Sequence, residues 1–77
     1  MPAQLVVVTR DRARGLALVT GGAGAARAAR MAAHVERPAR WSPTARGWVL
    51  DDPYGVLQLR GWCQLHGLWL RERELTT

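Results

Sequence analysis

The chain reads as an α+β domain of two layers, and three observations predict it. Short β-branched or alternating runs are separated by turn residues, two longer segments carry apolar residues at helical spacing, and the pieces follow the order strand, strand, helix, strand, strand, helix, strand. At 77 residues the length predicts a single small domain over residues 1–77. A chain of that size buries only about 60% of its unfolded surface, so the core is small. A multi-domain enzyme is excluded, and a deep substrate pocket is not expected.

Residues 5–8, Leu-Val-Val-Val, form the first expected strand, and residues 15–20, Gly-Leu-Ala-Leu-Val-Thr, the second. The connector from Arg10 to Arg14 then becomes the basic tip of an N-terminal hairpin. Gly21, Gly22 and Gly24 break the second strand, and the alanine-rich residues 25–34 are expected to be helical, ending ahead of Pro38. Ala25, Ala28, Ala29 and Ala32 give this helix a small face for close approach to a sheet, with Met31 and Val35 adding bulk.

Residues 39–42 and 47–51 make a second hairpin around the turn residues Ser42, Pro43 and Gly47. Strand alternation puts Trp48 and Leu50 on one face and Val49 on the other, with Trp41 opposite Trp48. Asp52 before Pro53 reads as an N-cap followed by a proline in the first turn. The helix predicted from Pro53 to about His66 has Val56, Leu59, Trp62, Cys63 and His66 along its core stripe and Gly67 as its C-cap. Tyr54, Leu57 and Leu65 fall on roughly the opposite side, a second apolar strip that suits a partner interface. In the final run, residues 68–74, Leu68 and Leu70 are expected to point inward and Trp69, Arg71 and Arg73 outward.

From the second strand onward the order is β, α, β, β, α, β, the split pattern of ferredoxin-like domains, preceded by an extra N-terminal strand. Such a domain lays its helices on one sheet face and leaves the other open. The extra strand competes for an edge that the motif already uses.

The formal charge is +5, and all eleven basic residues are arginine, as expected of a GC-rich coding sequence. Residues 1–46 hold eight arginines against Asp11 and Glu36, a balance of +6, while residues 47–77 hold three against Asp51, Asp52, Glu72 and Glu74, a balance of −1. One-sided basicity favours phosphate backbones, acidic proteins or anionic lipid. Cys63 is the only cysteine, so no intrachain disulfide and no metal-ligand spacing exist, which points to a reducing, cytoplasmic setting. The segment beginning Met1-Pro-Ala-Gln lacks the basic leader of a secretory signal, and no apolar run nears the roughly 20 residues that cross a bilayer, so no membrane partner is expected.

Candidate nucleic-acid contacts are Arg10, Arg12, Arg14 and Arg27, with Trp69, Arg71 and Arg73 as a second patch in which a ring stacks bases and guanidiniums neutralise phosphates. Glu72 and Glu74 dilute that patch. No catalytic residue, cofactor, metal or small-molecule substrate is expected: His34 and His66 lack triad partners, and Cys63 is read as a buried, inert thiol.

Leu18-Val-Thr-Gly-Gly-Ala-Gly-Ala-Ala-Arg27 resembles the opening of short-chain dehydrogenases over ten residues, but it lacks their later glycine and the length for a nucleotide domain. Trp62-Cys-Gln-Leu-His-Gly67 with Arg71-Glu-Arg73 resembles part of the DNA-binding domain of actinobacterial nucleoid-associated silencers, with Glu72 where a glycine would stand. The function expected is a non-catalytic basic accessory protein of a GC-rich bacterium or its phage that binds nucleic acid. The alternative is a protein-interaction module, either a homodimer or a small inhibitor or adaptor of a host protein, working through Tyr54, Leu57 and Leu65.

Overall fold

Alternating apolar residues build a five-stranded sheet, and the two helices supply its cover. The computed structural model describes residues 5–75; Met1 to Gln4, at the start of the segment read for a leader, lie outside the described residues. The elements are β1 (Leu5–Asp11), β2 (Leu16–Gly21), α1 (Ala23–Ala32), β3 (Arg40–Ser42), β4 (Gly47–Asp51), α2 (Tyr54–Leu65) and β5 (Trp69–Glu74). The domain is thus α+β, with a mixed sheet in the order β3-β4-β2-β1-β5.

The order departs from the expected ferredoxin-like arrangement at one point. β1 does not extend an outer edge; it pairs antiparallel with β2, and β5 pairs parallel with β1. A four-residue turn joins β1 to β2, so this hairpin closes at little entropic cost and occupies the edge of β2 that the last strand would otherwise take. β5 is displaced one place outward. β2–β4 and β3–β4 are antiparallel.

β1 is also longer than its β-branched run, continuing to Asp11 and drawing Arg10 into the sheet. Alternation then places Val6, Val8, Ala17, Val19 and Leu50 on the helix-covered face, where they meet Ala25, Ala28, Ala29 and Ala32 of α1 and Val56, Leu59 and Cys63 of α2 in one core. The small side chains of α1 let it sit close to the sheet, while Leu59 and the valines fill most of the volume. Trp48, Trp62, Leu68 and Leu70 close the core at its margins.

α1 starts and stops about two residues earlier than its composition predicts. Ala33 takes extended geometry, and the chain turns through His34, whose backbone carbonyl accepts from Arg37 N at 2.9 Å and whose Nδ1 accepts from Glu36 N at 3.0 Å. Met31 and Val35 therefore add nothing to the core: Met31 lies off the alanine stripe, Val35 lies past the helix end, and both are exposed.

Asp52 does not cap α2. Pro53 occupies the N-cap position without a side-chain bond, and the Asp52 carboxylate turns to Arg10 instead. The C-terminal end follows expectation. Gly67, with φ +68°, continues into a chain reversal in which Leu68 N donates to Cys63 O at 2.8 Å and Gly67 N to Gln64 O at 3.5 Å, the two bonds of a Schellman ending. On the predicted core stripe, Trp62 is only partly buried and His66 is exposed, stacked on Trp62 with ring centroids 3.9 Å apart. At the edge of the sheet Trp41 lies opposite Trp48 with an edge-to-face separation of 5.6 Å, the cross-strand pair that alternation predicts.

Candidate nucleic-acid interface

The sheet face away from the helices carries Val7 and Thr9 of β1, Leu16, Leu18 and Thr20 of β2, and Val49 of β4, all partly exposed. On the same face the outer strand β5 contributes Trp69, Arg71 and Arg73, registered against Leu5, Val7 and Thr9. One row crosses the whole sheet: Arg40, Val49, Leu18, Thr9, Arg73. With strands ~4.8 Å apart, its two arginines stand ~19 Å apart, one on each edge strand. The centre of the platform is apolar, Arg40 and Arg73 stand at its two edges, and Asp11 and Asp51 flank Leu16 on the same face at one end. Between the β3–β4 turn and the end of β5, a shallow depression of about 310 Å³ has the apolar Leu16, Leu18, Val49 and Leu75 in its lining together with the charged Asp11 and Arg14.

Alternation on β5 sorts its charges between the two faces. Glu72 points to the helix side, where Arg60 of α2 donates from Nε to Oε2 and from Nη2 to Oε1, each at 2.6 Å, and Arg10 stands 3.7 Å away. The Arg60 hydrogen bonds hold the Glu72 carboxyl below the usual glutamate range, outweighing its partial desolvation. Arg60 is raised in turn, chiefly by the same bonds. Glu74 pairs with Arg12 at 2.6 Å. The two glutamates that dilute the strand in sequence are thus neutralised locally, and among the described residues no carboxylate pairs with Arg71 or Arg73. Trp69 is 70% exposed beside them.

The arginines of the first expected patch do not converge with this face. Because β1 extends through Arg10, its guanidinium lies on the helix side, with Nε and Nη2 each 2.8 Å from Asp52 Oδ1 and the side chain only 12% exposed. Two of its nitrogens are engaged by Asp52, and Nη1 stands 3.7 Å from Glu72. Arg12 and Arg14 stand at the exposed hairpin tip, paired with Glu74 and Asp11 respectively. Arg27 is exposed on α1, in the helix layer. Arg40 was not among the expected contacts; its signal was present, since it neighbours Trp41 in β3 and must point to the opposite face.

Tyr54, Leu57 and Leu65 are exposed along the outer side of α2, as its periodicity predicts. Cys63 is buried, and burial pushes its thiol pKa up, away from the thiolate. Among the described residues there is no group of three or more His, Cys, Asp or Glu able to hold a metal ion, and no helix is long and apolar enough to cross a membrane. The glycine turn that resembles a dehydrogenase opening supplies Gly22 as the N-cap of α1 and leads into the alanine stripe. Comparison with protein-family models, with curated proteins and with solved structures gives no match.

Proposed function

We propose that this chain is a non-catalytic accessory domain that binds single-stranded nucleic acid across its uncovered sheet face. The observation that carries the reading is the sorting of β5, which leaves Trp69, Arg71 and Arg73 together on the open face while Arg60 and Arg12 neutralise the intervening glutamates. An exposed indole offers a stacking surface to any base, and the flanking guanidiniums offer charge to the backbone. Val7, Leu18 and Val49 extend the platform, and Arg40 supplies a cation at its far margin. The sheet is read here as a ferredoxin-like split motif with one strand interposed, which keeps both helices on one side and so leaves a platform of five strands. Arg10, Arg12 and Arg14 support the hairpin and the sheet edge in this reading, and the basic half of the chain raises the local concentration of a polyanion.

The test is titration of a short oligonucleotide, DNA and RNA in parallel, followed by tryptophan fluorescence across a salt series. Three phosphate contacts through Arg40, Arg71 and Arg73 predict a slope of about −2 in log affinity against log salt, from ~0.7 per contact on a single strand. Trp69→Ala should weaken binding roughly 5- to 150-fold, from the ~1–3 kcal/mol of a base–aromatic stack. Lack of affinity at low salt, or an affinity indifferent to Trp69→Ala, rejects the proposal.

A further inference from the structure

The arginines divide by whether the fold gives them a counter-charge. Arg10, Arg12, Arg14, Arg37 and Arg60 each pair with a carboxylate, and among the described residues the other six do not. Arg40, Arg71 and Arg73 belong to the open sheet face already described. Arg27, Arg30 and Arg46 remain, all three exposed and all bordering α1 on the helix side.

Three depressions run into one another there. Trp41 and Arg46 line a cleft against Trp48 and Ala26, Ala26 also lines a groove along α1 with Arg27 and Arg30, and Arg27 also lines a hollow between α1 and α2 with Trp62 and His66. No aspartate or glutamate lines any of the three. The acids gather elsewhere: Asp11 borders the depression on the open face, and Glu36 and Asp51 border the one beside Arg37 and Arg40. Aromatic surface alternates with the charge along this track. Trp41 is 52% exposed, it meets Trp48 edge to face, and the Arg30 guanidinium stands over the Trp48 ring at 5.9 Å from its centroid.

We infer that this track is a second binding surface for single-stranded nucleic acid, reached by the strand that crosses the open face once it passes over β3; the inference rests on the function proposed above. β3 joins the two surfaces. It is the outermost strand on its side of the sheet, only three residues long, and its neighbours Arg40 and Trp41 point to opposite faces. A polyanion leaving the platform at Arg40 meets the exposed Trp41 ring as it turns over the edge, and then the unpaired Arg46, Arg30 and Arg27. Charge complementarity favours this occupant, because a surface of unpaired guanidiniums without carboxylates attracts phosphates. The rings favour a nucleic acid over other polyanions, since bases stack on an exposed indole whatever their sequence. Two weak surfaces on one strand then act together, the second engaging at the high local concentration that the first creates.

Salt titrations with a long single-stranded oligonucleotide, about 16 nucleotides at the upper end of the site sizes that one small single-strand-binding fold covers, test the inference. Six phosphate contacts, three on each surface, predict a slope of about −4 in log affinity against log salt, where the platform alone gives about −2 whatever the length. Arg27→Gln combined with Arg46→Asn should reduce the slope to about −3. Both residues are exposed and unpaired, and asparagine tolerates the positive φ of Arg46, 54°, so the melting temperature should stay level. Trp41→Ala should weaken the long oligonucleotide roughly 5- to 150-fold. A slope near −2 with affinity indifferent to these variants but sensitive to Trp69→Ala overturns the inference and leaves the platform standing. Sensitivity to these variants with indifference to Trp69→Ala keeps the track and rejects the platform. Equal competition by poly-glutamate of matched charge overturns the nucleic-acid occupant, and no affinity at low salt overturns both surfaces.

Discussion

Arg10→Met gives the sharpest test of how the basic half of the chain is used. The sequence places Arg10 in an exposed basic connector, but the fold puts it beside Asp52, whose side chain is 4% exposed and whose Oδ1 receives both Nε and Nη2 at 2.8 Å. Removing the guanidinium leaves a buried carboxylate without its counter-charge. A broken buried pair of this type costs ~3–5 kcal/mol. In a domain of this length each kcal/mol lowers the melting temperature by about 4–8 °C, so the midpoint should fall by at least ~12 °C. The double variant Arg10→Met with Asp52→Leu should recover much of the loss, because replacing both charges by apolar groups removes the desolvation penalty together with the attraction. Thermal melting of the three proteins at neutral pH, followed by far-ultraviolet circular dichroism, measures this directly. If Arg10→Met melts within a few degrees of the parent but loses oligonucleotide affinity, Arg10 contacts phosphate and the structural assignment is wrong.

Three further outcomes are expected. Leu59→Ala removes a fully buried side chain from the centre of the core and should cost ~2–5 kcal/mol in urea denaturation. Glu72 is held below the ordinary glutamate value of 4.5, so its pairing stabilises the fold above that pH and the contribution is lost as pH falls through the folded-state value. Urea midpoints measured between pH 6 and pH 3 should therefore decline less steeply for Glu72→Gln than for the parent, and equal slopes would remove Glu72 from the acid sensitivity. Cys63 should resist a thiol reagent under native conditions and react fully once unfolded, since it is buried with a raised pKa. Fast labelling of the native protein would contradict its position.

Much of the fold was legible because period-two and period-3.6 patterns are local. The pairing of Trp41 with Trp48, the outward direction of Trp69, Arg71 and Arg73, and the exposure of Tyr54, Leu57 and Leu65 all follow from side-chain direction within a single element. Errors gathered where a boundary or a partner depended on another element. Asp52 reads as an N-cap until β1 brings Arg10 against it, and Met31 reads as core until the sheet selects the alanine stripe instead. The candidate platform was half visible: β5 could be read, but Arg40 and the apolar row between the two edges exist only once β4, β2 and β1 are set side by side.

By itself the amino-acid order determined which residues of each segment face the same way, because backbone geometry alone makes neighbours alternate in a strand and recur every third or fourth position in a helix. It also determined the clustering of arginine in the first half of the chain. Tertiary structure decided the rest: that β1 separates β2 from β5, that Glu72 and Glu74 are neutralised by Arg60 and Arg12, and that Arg10 pairs with Asp52 on the helix side of the sheet. These are choices among partners distant in sequence. Such choices are settled by which edges and charges remain unsatisfied when the layers close, and no local pattern carries that information.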